Sequence, residues 1–122
     1  MPRVVHFEFT AHDPDRAIKF YKDVFGWTFN KWEGPEEYWL VNTGEKSEPG
    51  IDGGMLRRPP EGGTTVNTIE VRSVDDYIKK ATRSGGQITM PKSAIPGVGY
   101  VAYCKDTEGN VFGIFQTDEN AK

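Results

Sequence analysis

Residues 13 to 27 read DPDRAIKFYKDVFGW, and this segment contains the signals for both ends of one short helix. Asp13 is suited to cap the free backbone N–H groups, and Pro14 fits the first helical position. Gly26 is suited to end the helix, because glycine readily adopts the left-handed conformation that follows a last helical turn. We therefore predict a helix from Pro14 to Phe25. Its apolar positions recur at intervals of three and four residues: Ala17, Phe20, Tyr21 and Val24.

A second set of helix signals follows 60 residues later in the chain. Ser73 stands three residues before Asp76, as in a capping box, and the apolar pattern after it stops at Gly85-Gly86. Such regular spacing indicates a duplicated unit. Three pairs of residues 60 apart occupy matching places in the two patterns: Asp13 and Ser73, Ile18 and Ile78, and Gly26 and Gly86.

The segments around these helices alternate between apolar and polar residues, as half-buried strands do. In the first segment Val5, Phe7 and Phe9 point to one face, and the polar side chains between them point to the other. The second and third segments are separated by Glu33-Gly34-Pro35 and are typical of a hairpin. Eight strands are predicted in all, at residues 4–10, 27–32, 36–42, 53–56, 65–72, 87–90, 100–104 and 111–116.

Two strand-helix-strand-strand-strand units within 122 residues predict an α+β fold made of tandem βαβββ modules. A ferredoxin-like βαββαβ fold is the obvious alternative, but it needs only four strands. The polar, glycine- and proline-rich residues at 58–64 are interpreted as a linker between the modules.

The composition is that of one globular domain, with 36% hydrophobic and 27% charged residues. A net charge of −3 with scattered basic residues predicts no nucleic-acid partner. The chain shows no signal-peptide run and no stretch of about 20 apolar residues, so we expect a soluble, cytoplasmic protein without a membrane partner. Cys104 is the single cysteine, which excludes an intrachain disulfide and favours a buried, inert thiol over a nucleophile.

Segments spread over nearly the whole chain resemble the vicinal-oxygen-chelate superfamily, which includes glyoxalase I, bleomycin-resistance proteins and extradiol dioxygenases. The most specific of them is Phe20–Trp27, at the end of the first helix. Thr107 stands where proline is more usual in the final turn. The other segments that carry the resemblance are residues 13–17, 53–55, 84–86, 95–99 and 106–113.

The resemblance implies curved mixed sheets whose concave faces form a small-molecule pocket, with the helices on the convex faces. Residues 1–122 would form a single domain, with a first module at about 1–57, a linker at about 58–64, a second module at about 65–117 and a tail at 118–122. The resemblance also implies a homodimer. Phe7, Phe9, Ile69 and Val71 would meet the helices.

Metal-dependent members of the superfamily carry His, Gln or Glu ligands on the first, fourth, fifth and eighth strands. Carried over by position, these slots hold His6, Gly54, Val66 and Gly113, with Asn67 as the alternative to Val66. One imidazole cannot hold a divalent ion alone, because catalytic sites need about three protein ligands. No cofactor and no metal site is therefore expected. Two interpretations remain for Glu8 and Glu70. They either bind a divalent ion in an altered site or are two solvated or salt-bridged acids.

His6 is the candidate general base, with Glu8 or Glu70 as its orienting partner. The alternative is an ordinary hydrogen-bonded strand histidine, and His12, beside a helix cap, is interpreted as a surface residue. Gly54 and Gly113 fall inside strands at matching places, where they either open the floor of a pocket or mark a bulge or a tight packing point between the two units. The predicted pocket comprises His6, Glu8, Thr10, Gly54, Val66, Thr68, Glu70 and Gly113.

Several aromatic residues lie on the predicted strands, most of them expected in the core and about two in the pocket, which would favour a planar or cationic ligand. The leading functional hypothesis is a protein that binds a small organic molecule in a metal-poor pocket. The alternative is an enzyme, either a lyase, an isomerase or a dioxygenase-like catalyst, that uses His6 with Glu8 or Glu70. The aromatic set is Trp27, Trp32, Tyr38, Trp39, Tyr100 and Tyr103.

Overall fold

A computed structural model describes residues 1–122. Two compact units are distinguished by their internal contacts: the N-terminal unit, His6–Thr65, and the C-terminal unit, Val66–Lys122 together with Met1–Val5. The elements follow the predicted order. They are β1 (Arg3–Ala11), α1 (Pro14–Phe25), β2 (Thr28–Lys31), β3 (Trp39–Asn42), β4 (Asp52–Arg57), β5 (Val66–Glu70), α2 (Val74–Arg83), β6 (Gln87–Ile95), β7 (Gly99–Lys105) and β8 (Val111–Thr117).

The caps of α1 confirm the helix predicted from the sequence. The Asp13 carboxylate accepts a hydrogen bond from the Arg16 backbone N–H at 3.2 Å, which satisfies one of the free donors of the first turn. Gly26 adopts the left-handed conformation at φ 74°, and its N–H donates to the Lys22 carbonyl. The helix therefore has the predicted bounds.

The second helix begins as predicted and ends slightly earlier. The Ser73 hydroxyl accepts from the Asp76 N–H at 3.1 Å, as the predicted cap requires. The helix stops at Arg83, with Ser84 as its cap and Gly85 at φ 99°, so Gly86 is not the counterpart of Gly26 as a helix end. Neither helix is long and apolar enough to cross a membrane.

The sheet of the N-terminal unit has the strand order β2-β3-β4-β1. β1 and β4 run parallel, whereas β2, β3 and β4 pair in antiparallel fashion, and the β2–β3 pair is the predicted hairpin. Phe7 and Phe9 pack with Ala17 and Ile18 of α1, which confirms the predicted helix-facing side of β1. The buried centre of this core is formed by Ala11, Trp39, Val41 and Met55.

The C-terminal unit repeats the same strand pattern, in the order β5-β8-β7-β6. β5 and β8 run parallel, and β6, β7 and β8 pair in antiparallel fashion. Ile69 and Val71 belong to the cluster that contains Val74 and Ile78 of α2, as predicted. Each unit is therefore a βαβββ module in which the last strand of the module lies between the first and the third.

Further details differ from the sequence-based prediction, beginning with β3, which starts at Trp39 where residues 36–42 were predicted. β6 runs through Pro91 to Ile95, because register shifts between Ile88 and Ser93 accommodate a residue that cannot donate to the ladder. On α1, Phe20 and Val24 are 55% exposed, so the packed face is formed by Ala17, Ile18 and Tyr21, and the predicted apolar face is wrong at these two positions.

Candidate functional site

The polar face of β1 carries the candidate site of the N-terminal unit. Because side chains alternate along a strand, His6 and Glu8 point away from the face on which Phe7 and Phe9 meet the core. Their side chains are 31% and 15% exposed, respectively, so both are partly withdrawn from water. The strand thus presents an imidazole and a carboxylate side by side.

Tyr38 joins these two groups into one hydrogen-bonded cluster. Its hydroxyl oxygen lies 2.9 Å from His6 Nε2 and 2.9 Å from Glu8 Oε2. His6 Nε2 and Glu8 Oε2 are 3.8 Å apart, which is too far for a direct hydrogen bond. The tyrosine oxygen therefore bridges the two side chains.

One assignment of the His6 ring proton follows if Glu8 is ionised and His6 is neutral. The Tyr38 O–H donates its single proton to the Glu8 carboxylate, so its oxygen can only accept from His6. In the neutral imidazole the proton then lies on Nε2, and Nδ1 keeps its lone pair. In this assignment Nδ1 of His6 is the nitrogen that keeps a lone pair.

Gly54 makes room for the Tyr38 hydroxyl. Gly54 is the β4 partner of Glu8 in the parallel pair and of Leu40 in the antiparallel pair. A methyl group built at Gly54 would overlap the hydroxyl and the ring carbon of Tyr38 that carries it. The group that approaches this glycine is a tyrosine side chain from the same unit.

The connection between β2 and β3 holds Tyr38 in place. The Trp32 N–H donates to the Tyr38 carbonyl at 2.7 Å, and the Trp32 ring meets the Tyr38 ring edge-on at 6.2 Å. The Trp32 ring also covers Gly34, where any side chain would overlap it. Next to Tyr38, the Arg57 guanidinium binds Glu37 through two hydrogen bonds of 3.0 and 3.3 Å, and these lower the pKa of the Glu37 carboxyl.

Thr10 is the remaining residue of the N-terminal unit that was predicted for the pocket. The Thr10 hydroxyl and carbonyl oxygens each accept a hydrogen bond of 3.2 Å from Arg58. Gly63 also approaches Thr10 so closely that a methyl group there would lie 2.5 Å from its hydroxyl. Thr10 therefore serves to fasten the chain that follows β4, and His12 is exposed, as predicted.

Glu70 lies in the C-terminal unit, where its carboxylate accepts a hydrogen bond of 2.7 Å from the Thr117 hydroxyl. It lines an open groove of about 680 Å³ beside the start of α2, together with Arg72, Asp76 and Lys80. This groove carries charges of both signs, and Glu70 has no part in the His6–Tyr38–Glu8 hydrogen bonds.

The remaining predicted pocket residues surround the glycine of β8. Thr68 pairs with Gly113, is buried at 6% exposure, and has its hydroxyl 2.9 Å from where a Gly113 methyl group would lie. The Tyr103 ring passes 3.2 Å from the same point. Val66, at the start of β5, is half-buried. Gly113 thus allows a threonine and a tyrosine of its own unit to approach the strand.

Tyr38 is the site residue that the sequence-based reasoning did not assign. Its sequence position predicts one of the strand aromatic residues, but β3 begins at Trp39, so Tyr38 belongs to the connection before it. The signal that pointed toward it was Gly54, since a glycine inside a strand marks the close approach of another group.

The side chains do not fit the metal site of the superfamily. His6 is the only one of the four slot residues with a strong donor atom, because Gly54, Val66 and Gly113 offer none. If Asn67 took the third slot in place of Val66, the four slots would offer one imidazole and one amide oxygen. No group of three or more His, Cys, Asp and Glu side chains is arranged to hold a metal ion.

Cys104 is fully buried in β7, and this burial raises the pKa of its thiol. Because the thiolate is the reactive form, we expect the native protein to react very slowly with a thiol-specific reagent such as 5,5′-dithiobis(2-nitrobenzoate). One thiol per chain should react rapidly once the protein is unfolded in guanidinium chloride. Fast labelling of the native protein would contradict this assignment.

Comparisons with known proteins agree with this architecture. A model of the Glyoxalase/Bleomycin resistance protein/Dioxygenase superfamily matches residues 3–114. Proteins of Mycobacterium tuberculosis and Mycobacterium bovis that carry the name "Putative glyoxylase CFP32" are 29% identical over 114 residues, which cover 89% of this chain and 42% of theirs. The chain therefore spans less than half the length of the curated relatives it matches.

Solved structures share the fold at low sequence identity. A hypothetical protein of Bacillus halodurans aligns with a TM-score of 0.74 at 14% identity, covering 99% of this chain and 98% of that one. Methylmalonyl-CoA epimerase of Mycobacterium tuberculosis aligns with a TM-score of 0.68 at 14% identity, covering 94% and 87%. A superfamily member from Vibrio splendidus gives 0.67 at 18% identity, covering 95% and 99%. At these identities the likeness shows the fold alone.

Proposed function

The chain belongs to the Glyoxalase/Bleomycin resistance protein/Dioxygenase superfamily, and from this membership we propose that it binds a small organic molecule at the His6–Tyr38–Glu8 cluster, without a metal ion. The observation that carries the proposal is the bridged hydrogen-bond geometry, with two contacts of 2.9 Å at one tyrosine oxygen. Small-molecule sites typically combine apolar surface with a few converging polar groups. The cluster supplies the polar groups, and the rings of Tyr38 and Trp32 supply the apolar surface.

The absence of ligating side chains at three of the four metal slots supports binding without an ion. Untreated protein, purified without chelator, is the material for the test. Native mass spectrometry combined with elemental analysis reports any retained organic ligand, any metal and the subunit number together. We expect a bound organic molecule and metal far below one ion per chain. Near-stoichiometric metal that is lost on replacing His6 would contradict the proposal.

The role of His6 is tested by its replacement with alanine. Removing one hydrogen-bonding partner of the ligand is expected to weaken binding by about two- to tenfold, since such a bond contributes about 0.5–1.5 kcal/mol net. The affinity of a small molecule found by thermal-shift screening is to be measured by calorimetry. His12→Ala is the matched control, because His12 is exposed and should leave the affinity unchanged. Equal affinities for wild type and His6→Ala would remove His6 from the site.

A second candidate function is proton transfer, which the tautomer of His6 favours. Its Nδ1 keeps a lone pair, while the bridge to Glu8 orients the ring, as a general base requires. A lyase or isomerase reaction would use this arrangement, and the names of the mycobacterial relatives and of the epimerase neighbours are consistent with one. Loss of a measurable turnover in His6→Ala at an unchanged melting temperature would support catalysis, whereas turnover that survives would leave binding as the function.

A further inference from the structure

Three large apolar side chains are exposed within the last six residues of α1. Phe20 and Val24 are 55% exposed, and Phe25 is 59% exposed. These three residues, which we call the α1 patch, leave about 350 Å² of apolar surface in water, within the range of the largest and often functional patch on a typical monomer. A patch of this size on one helix indicates an interaction surface.

The aromatic rings beside the α1 patch hold it in a fixed shape. The Phe20 ring meets the Tyr21 ring edge-on, with 5.2 Å between centroids, and the Phe25 ring stacks on Tyr21 at 6.2 Å. Tyr21 in turn stacks on Trp27 at 5.0 Å and lies 5.2 Å from the Phe9 ring of the core. Because the exposed rings are already ordered by the packed ones, a partner that covers them loses little side-chain entropy.

The α1 patch includes part of a helical ridge of the kind that packs against another helix. Arg16, Phe20 and Val24 follow one another at intervals of four residues, so their side chains form one row along α1. Two rows of this type interdigitate when the helix axes cross at about −50°. Phe20 is the middle residue of the row, and a second helix would therefore make its central contact there.

The charged side chains near Phe20 make this face of α1 complementary to itself. The Arg16 guanidinium forms no ion pair within the chain. Asp23 accepts a hydrogen bond from Lys19, but its side chain remains 58% exposed and a carboxylate can accept from a further donor. Arg16 precedes Phe20 and Asp23 follows it, so two antiparallel copies of α1 centred on Phe20 would place Arg16 of each copy beside Asp23 of the other. Parallel packing would place Arg16 against Arg16.

We propose that α1 is the docking surface for a second copy of this chain, in an antiparallel two-fold dimer with Phe20 at its centre and Arg16–Asp23 ion pairs on either side. A two-fold interface uses the same surface on both partners. The α1 patch supplies the apolar centre, and the ion pairs supply the polar rim.

The size of the α1 patch sets the expected strength of this dimer. A standard interface buries about 800 Å² per partner, and the patch supplies less than half of that area, so the dimer is weak and dissociates in the micromolar range. The interface lies on the helix side of β1, where Phe7 and Phe9 pack, and not on the face that carries His6 and Glu8. The inference is therefore independent of the proposed function.

The first test is sedimentation velocity of the wild type and of Val24→Lys, from low micromolar to several hundred micromolar protein. The wild type is expected to show a monomer–dimer equilibrium. Val24→Lys should raise the dimer Kd by about a hundredfold or more, because each dimer loses two apolar side chains from its centre and gains two charges there.

Val98→Lys is the matched control for this substitution. Val98 is 49% exposed and belongs to the C-terminal unit, so the same change there should leave the dimer Kd unaltered. A wild type that stays monomeric at the highest concentration would overturn the inference. A dimer that Val24→Lys leaves intact would overturn it as well, because the interface would then lie elsewhere.

The second test examines the antiparallel arrangement through the charges of Arg16 and Asp23. Arg16→Asp alone and Asp23→Arg alone each place like charges on both sides of Phe20 in a homodimer, and each is expected to raise the dimer Kd by about tenfold. In a heterodimer of the two variants, opposite charges face each other on both sides. Native mass spectrometry of an equimolar mixture distinguishes the three dimers by mass, and heterodimers should predominate. Heterodimers at no more than their statistical share would overturn the inference.

Discussion

Replacing Met55 with alanine is expected to lower the free energy of unfolding by about 2–5 kcal/mol, the range for truncating a buried methionine. Met55 is fully buried at the centre of the N-terminal core, where its backbone pairs with Phe9 on one side and Trp39 on the other. The truncation removes apolar contacts on both sides and leaves a cavity that paired strands cannot close. Urea denaturation followed by tryptophan fluorescence measures the change.

Met90→Ala provides the matched control for this experiment. Met90 lies on β6 and is 49% exposed, so the same substitution there should change stability by no more than about 0.5 kcal/mol. A similar loss for both variants would mean that the core of the N-terminal unit does not depend on Met55, contrary to its burial.

Alanine at Gly53 and alanine at Gly54 are expected to have different effects, although the two residues are neighbours on β4. At Gly53 the new methyl group overlaps the Phe7 backbone carbonyl and lies 2.7 Å from its ring, and neither can move without disturbing the parallel β1–β4 pair. We expect Gly53→Ala to destabilise the protein by about 1–3 kcal/mol through overpacking. At Gly54 the overlap is with the end of the Tyr38 side chain, which can rotate away.

Gly54→Ala should therefore cost less stability than Gly53→Ala but separate Tyr38 from His6 and Glu8. The two readouts are the free energy of unfolding, from urea denaturation, and the NMR chemical shifts of the His6 ring. We expect the His6 shifts to change strongly in Gly54→Ala and little in Gly53→Ala. Strong changes in Gly53→Ala and weak ones in Gly54→Ala would contradict the close approach of Tyr38 to Gly54.

The helices were predictable because their signals are local. Asp13, Pro14 and Gly26 act within one turn of the residues they cap, and each does in the structure what its chemistry predicts. The exposure of Phe20 was not predictable from spacing, because periodicity shows that a helix has an apolar side but not how much of it the sheet covers. β6 extended past Pro91 for a similar reason, since a bulge depends on the partner strand.

The candidate site was predictable only in part. Alternation along β1 placed His6 and Glu8 on the same polar face, and the structure brings them within 3.8 Å. Tyr38 reaches them from 30 residues away along the chain through the conformation of a connecting segment, which has no periodic signal. Gly54 marked the place where another group approaches, but a glycine does not specify what approaches it.

The strand order of each unit has a consequence for how the protein is made. β4 lies between β1 and β3, and β8 lies between β5 and β7. These two central strands are the last strands of their modules to be synthesised. Until Arg57 has emerged, β1 lacks the strand that connects it to the β2–β3 hairpin. A nascent chain that stalls before Val111 holds β5 and the β6–β7 hairpin without the strand that joins them. Parallel pairing between segments that are distant in sequence is slow to form. We therefore expect the nascent chain to be most prone to aggregation just before β4 and β8 are complete, when chaperones would protect its unpaired strand edges.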